Sequence, residues 1–233
     1  MKIKQVFLNL FYLFYPKICV GCFSALNAQE EFLCLECLST LPKTNYHLVK
    51  ENPVHKQLAG KFPLTKATSY LYYNKDGLGE RLTASLKYRG NIYAGKWIAR
   101  YLATDLKKFD FFDSVDMIIS VPLHPKKYKL RGFNQSEIIA EGISEITKIP
   151  IETNILYREK ANISQTTKNA YERWLNTTNI FDIKNPEMLK GKHILLIDDV
   201  LTTGATIEAC ARALLKSEIG KISLLTLAIA KVI

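Results

Sequence analysis

Two aspartates stand side by side at positions 198 and 199, closing the apolar run 194–197 and preceding the stretch Val-Leu-Thr-Thr-Gly-Ala-Thr. A short, wholly apolar run predicts a buried strand, so Asp198 and Asp199 would be held by a rigid element where it opens into a crevice. Adjacent like charges are costly there without a partner. Polyol hydroxyls, a magnesium ion or a cationic side chain would serve. Gly204 permits a tight turn, and small neighbours such as Ala205 leave backbone N–H groups open at a helix N-terminus, an arrangement that holds phosphate. The hydroxyls of Thr202, Thr203 and Thr206 add donors. A sugar with free hydroxyls and a terminal phosphate fits this combination. A plain strand followed by a capped helix accounts for the threonines but not for the two acids.

A second constellation lies near the start, where Cys19, Cys22, Cys34 and Cys37 form two C-x-x-C pairs. Each pair can place two thiolates on one tetrahedral ion, and the stretch between lets the second pair fold onto the first. Four sulfur ligands leave no position for a catalytic water, so a zinc ion here is expected to be structural. Gly21 is expected to ease the turn inside the first pair. Two disulfides in an exported chain, or four unrelated thiols, are the alternatives. Reduced thiols predict a cytoplasmic location, with contact at the periphery of the inner membrane as a further expectation. Cys210 stands apart on an apolar helical face and reads as a small buried hydrophobe.

The segment 120–136, SVPLHPKKYKLRGFNQS, concentrates positive charge. Pro122 ends the preceding strand, which would leave Leu123 and His124 over the crevice. Lys126, Lys127, Lys129 and Arg131 could then contact pyrophosphate or the phosphates of a nucleic acid. Phe133 offers a face on which a base could stack. A solvated basic loop fits the run equally well. The polar stretch 157–181 has the composition of a mobile lid, with Arg158, Lys160, Gln165 and Arg173 as its ligand-facing members. A plain loop and helix would look similar.

The elements that must position these groups follow from periodicity. Strands are predicted over 67–73, 115–121, 192–200 and 221–230, with helices over 78–88, 94–109, 134–147 and 206–217. Apolar strands alternating with helices predict an α/β fold, a mostly parallel sheet flanked by helices on both faces. Ligands gather at the carboxyl ends of such strands, here after Val121 and Ile197. Residues 41–56 read as the connection between a front module over 1–45 and a main domain over 46–233. The run 6–15 is too short to span a bilayer and suits an amphipathic helix docked on the protein. A secretory signal or a peripheral membrane helix is the alternative there.

With 233 residues, 48% of them hydrophobic and 23% charged, the composition is that of a globular chain, not a disordered one. The formal net charge of +10 favours phosphates or nucleic acid as partners.

Residues 194–206 resemble the phosphoribosyl-pyrophosphate (PRPP) motif of type I phosphoribosyltransferases: four apolar residues, two acids, then Val-x-Thr-Thr-Gly-x-Thr. That resemblance implies that Asp198 and Asp199 hold the ribose hydroxyls and act in catalysis, while Thr202 to Thr206 hold the 5′-phosphate, with magnesium accompanying PRPP. Together with the paired C-x-x-C module, LKYRG at 86–90 and VPLHPKKYKLRGFNQ at 121–135, the chain resembles the ComF family. It implies a type I phosphoribosyltransferase-like domain behind a small N-terminal four-cysteine zinc module. It also implies a role with incoming single-stranded DNA in natural transformation, beside competence-machinery proteins at the membrane. A nucleobase salvage phosphoribosyltransferase and a PRPP-sensing regulator without turnover stand as the other readings.

Overall fold

The computed structural model describes residues 15–88, 91–158 and 180–230. The expected helix over 6–15 lies, but for Tyr15, outside the described residues, as do Lys160, Gln165 and Arg173 of the expected lid.

In chain order the elements are α1 (Leu35–Ser39), α2 (Pro53–Leu58), β1 (Ala67–Tyr73), α3 (Leu78–Tyr88), α4 (Ile92–Lys107), β2 (Met117–Ser120), α5 (Pro125–Arg131), α6 (Gln135–Thr147), β3 (Ile151–Glu152), β4 (Leu156–Arg158), β5 (Phe181–Ile183), β6 (His193–Leu201), α7 (Ala205–Leu215) and β7 (Lys221–Ala230). Five strands form one sheet in the order β1-β7-β6-β2-β3, and every pairing within it is parallel. β4 and β5 pair separately and antiparallel.

The period-two alternation of strand side chains divides β6 and β7 between two apolar clusters. Leu195, Ile197, Leu225 and Leu227 face the cluster that holds Leu86 of α3, Ile98 and Leu102 of α4 and Ile143 of α6. Ile194, Leu196, Ile222 and Leu224 face the other, with Leu58 of α2 and Ile207 and Leu214 of α7. Both faces of the sheet are therefore covered, which is why its strands read as continuous apolar runs.

The stretch expected to be a plain connection is ordered. The backbone N–H of Tyr72 donates to the Pro42 carbonyl (2.8 Å) and that of Thr44 to the Tyr70 carbonyl (3.0 Å), so 42–44 lies along the free edge of β1. Buried Asn52 caps α2 through its Oδ1, which accepts from Val54 and His55, while its Nδ2 donates to the carbonyls of Tyr46, Val49 and Ala67. One side chain thus satisfies the backbone of three segments. The front module shares the main core as well. Cys19, Val20, Leu33 and Cys37 belong to the same apolar cluster as α3, α4 and α6, and Phe32 meets Trp97 of α4 with ring centroids 6.2 Å apart. Gly21 is required for space and not for a special turn. A Cβ there would lie 2.5 Å from Leu78 Cδ1 and 2.9 Å from Cys37 Sγ.

Candidate functional site

The parallel register sets Ser120 beside Ile197, and the backbone N–H of Val121 donates to the Ile197 carbonyl at 2.9 Å. The loop after β2 therefore leaves the sheet beside the acids of β6, while β6 itself runs on past them to Leu201, still paired with β7. Asn134 fixes the approach of α6 to that edge. Its Nδ2 donates to the Val121 carbonyl (3.0 Å) and its Oδ1 accepts from the Ser136 N–H (3.2 Å), capping the helix. The first turn of α6 then delivers Ser136, whose hydroxyl donates to Asp198 Oδ1 at 2.9 Å.

Asp198 and Asp199 are both half-buried, and their partners differ. Asp198 Oδ1 also accepts from the N–H of Asp199 (2.9 Å), and Asp199 Oδ1 accepts from the N–H of Val200 (2.6 Å). Asp199 Oδ2 is paired with the ammonium of Lys87, from the last turn of α3, at 2.9 Å. The cationic partner that adjacent acids need thus comes from the chain itself, out of the LKYRG stretch. Burial, followed by the neighbouring charge of Asp199, pushes the Asp198 carboxyl up to about 7.

Beyond β6 the chain turns through Gly204, at φ +79°, a left-handed conformation that glycine adopts without penalty. Thr202, Thr203, Ala205 and Thr206 are exposed around the N-terminus of α7, while Gly204 is buried. The turn is braced from α2: Gln57 Nε2 donates to the Thr202 carbonyl, and Lys61 Nζ, just beyond the helix, reaches the Thr203 carbonyl at 3.3 Å. These contacts engage the carbonyls of Thr202 and Thr203, and the Ala205 N–H is directed at Thr203 Oγ1 at 3.4 Å.

The basic segment departs from expectation in form. Residues 125–131 are the short helix α5, capped by His124 Nδ1 accepting from the Lys126 N–H and closed by Gly132 in the left-handed conformation. Leu123 and His124 are half-exposed before it, and Lys126, Lys127 and Lys129 are exposed along it. Arg131 donates to Gln135 Oε1 at 2.8 Å. Phe133 packs against the core cluster, so it is not the free aromatic face of this segment. Tyr128, at 48% exposure, is. Arg158 ends β4 with its guanidinium 5.5 Å from the Phe181 ring centroid. A cavity of about 390 Å³ lined by Lys17, Ile18, Val20, Glu31, Phe32 and Asn91 lies elsewhere and includes neither acid nor any residue of the turn after them.

In the front module the Sγ atoms of Cys19, Cys22, Cys34 and Cys37 all lie within 4.8 Å of one another. Backbone N–H groups of Gly21 and Cys34 point at Cys19 Sγ, and that of Cys37 at Cys34 Sγ. Such donors support thiolates, the form that binds metal. Glu30 holds the intervening loop by accepting from Asn27 and Leu35 N–H groups. The cluster can hold a metal ion, and four sulfurs in this arrangement fit zinc. Cys210 is fully buried on α7, consistent with a core role. No helix among the described residues is long and apolar enough to cross a membrane.

The acid pair, the tight turn through Gly204 and the four cysteines were each legible in the sequence. Sequence reasoning missed Ser136 and the partnership of Lys87, which depend on tertiary contact. It also missed α5, although Pro at the first helical position and Gly just past the end are a readable helix signature.

The phosphoribosyl transferase domain family matches residues 135–231. "DNA utilization protein YhgH" of Shigella flexneri is 28% identical over 203 residues, covering 86% of this chain and 85% of its own. "Competence protein ComFC" of Bacillus subtilis is 29% identical over 212 residues, 91% of this chain and 83% of its own. "Competence protein F" of Haemophilus influenzae is 29% identical over 151 residues, 63% of this chain and 66% of its own. With the four-cysteine cluster in front and the acid pair on β6, the chain is thus similar over most of its length to proteins named for competence and DNA utilization, and its residues 135–231 match a phosphoribosyl transferase domain.

Proposed function

We propose that the protein binds PRPP with magnesium at the carboxyl edge of its sheet and handles single-stranded DNA in natural transformation. The observation that carries this reading is the adjacency of the acid pair on β6 to the helix N-terminus that follows the left-handed turn at Gly204. Asp198 and Asp199 would accept hydrogen bonds from the ribose 2′- and 3′-hydroxyls. The exposed N–H and hydroxyl groups of 202–206 would hold the 5′-phosphate. Leu123 and His124, at the neighbouring strand end, would flank the pyrophosphate. Two carboxylates beside hydroxyl donors suit a hard, oxygen-seeking cation, and magnesium would neutralise charge on the pyrophosphate. In phosphoribosyl transfer the acids would stabilise positive charge developing on the ribose ring.

The DNA role rests on the relatives named for competence and DNA utilization and on α5. Three exposed lysines with Tyr128 among them combine phosphate attraction with a stacking face. The protein would work in the cytoplasm, with competence-machinery partners at the inner membrane. Salvage of a nucleobase is the second reading, favoured by the phosphoribosyl transferase domain match itself. A PRPP consumption screen offering nucleobases and single-stranded DNA separates them. Pyrophosphate release with one free base supports salvage. Oligonucleotide binding whose strength falls steeply with salt, without base-dependent turnover, supports the DNA role.

A further inference from the structure

We propose that Lys87 is an internal competitor for the acid pair, keeping divalent cations off Asp199 until a ligand displaces it. Three of the four carboxylate oxygens in the pair are engaged by donors of the protein itself. Two of those oxygens accept backbone N–H groups, which the strand itself holds in place. Asp199 Oδ2 is the exception: its donor is a flexible ammonium at 2.9 Å, carried in from α3. With side-chain exposures of 22% for Lys87 and 17% for Asp199, the pair is partly withdrawn from water, where a counter-charge counts for more than at the surface. The ammonium occupies Asp199 Oδ2, and its charge repels a cation approaching that oxygen.

The consequence is an order of events. In the ligand-free protein the crevice does not collect metal. A cation arrives together with the phosphates of the ligand, whose hydroxyls take over Asp199 as Lys87 leaves. The last step rests on the PRPP reading above, whereas the exclusion of free cations does not.

The test uses Mn²⁺ alone, titrated against the zinc-loaded full chain by electron paramagnetic resonance, because Mn²⁺ prefers oxygen ligands and leaves thiolate sites to zinc. Lys87→Met is expected to bind Mn²⁺ roughly fivefold or more tightly than wild type, the factor that losing a nearby like charge implies. Lys87→Arg should stay as weak as wild type. Lys87→Met combined with Asp199→Asn should lose the gain. A smaller gain, or a gain that survives Asp199→Asn, overturns the proposal. Should Lys87→Met be too unstable to purify, Lys87→Gln takes its place, read by melting temperature. Mn²⁺ must raise its melting temperature more than that of wild type, and an equal shift overturns the proposal. PRPP failing to bind wild type while Lys87→Met gains Mn²⁺ would remove the ligand reading and leave the competitor standing. PRPP binding without any Mn²⁺ gain would do the reverse.

Discussion

Asp198 and Asp199 are chemical equals in the sequence and unequal in the fold. Asp199 has an ammonium; Asp198 has Ser136 and a peptide N–H, and burial beside its neighbour's charge pushes its carboxyl up to about 7. A carboxyl whose folded value is raised binds its proton more tightly folded than unfolded. Its contribution to stability is therefore present below about pH 4 and lost as pH rises toward about 7. Asp198→Asn removes that dependence. The melting temperature of the variant minus that of wild type should increase from pH 5 to pH 8, and a flat difference would contradict the assignment. The acids and cysteines were legible in the sequence because both motifs are local. Lys87 and Ser136 were not, because only folding α3 and α6 onto the end of β6 brings them to the acids.

At the level of elements, the α/β alternation was readable because strands covered on both faces carry uninterrupted apolar runs. The stretch 120–136 was harder, since its prolines and lysines have loop composition, and the helix inside it is specified by its ends: His124 and Pro125 before, Gly132 after. A helix fixes the spacing of its charges. Changing Lys126, Lys127 and Lys129 together to Ala should weaken binding to single-stranded DNA and reduce the log–log salt slope by roughly 2. An unchanged slope in a filter-binding series would take α5 out of the interface. The polar composition of 41–56 reads as a connection, and within it 42–44 runs along β1 and Asn52 is fully committed. Asn-Pro at 52–53 was the readable cue, a capping residue ahead of proline at the first helical position.

Across the whole molecule, the division into 1–45 and 46–233 is best taken as a proposal about folding units. Cys19 and Cys37 share an apolar cluster with Leu82 and Leu86 of α3 and with the sheet. Removing the proposed zinc should therefore do more than loosen a remote appendage. Chelation is expected to lower the melting temperature of the entire protein while far-ultraviolet circular dichroism keeps the signature of the α/β domain. Elemental analysis should return about one zinc per chain, the stoichiometry of a single four-thiolate site. A purified protein without zinc would remove the metal from this account.

The central claim is that the β6 acids and the turn through Gly204 form one site for a phosphorylated sugar. Calorimetric titration of PRPP with magnesium into wild type and into Asp198→Asn/Asp199→Asn tests it most directly. Saturable binding to wild type and its loss in a variant with an unchanged circular dichroism spectrum is the predicted result. Equal heats for the two proteins, or none for wild type, would contradict the claim.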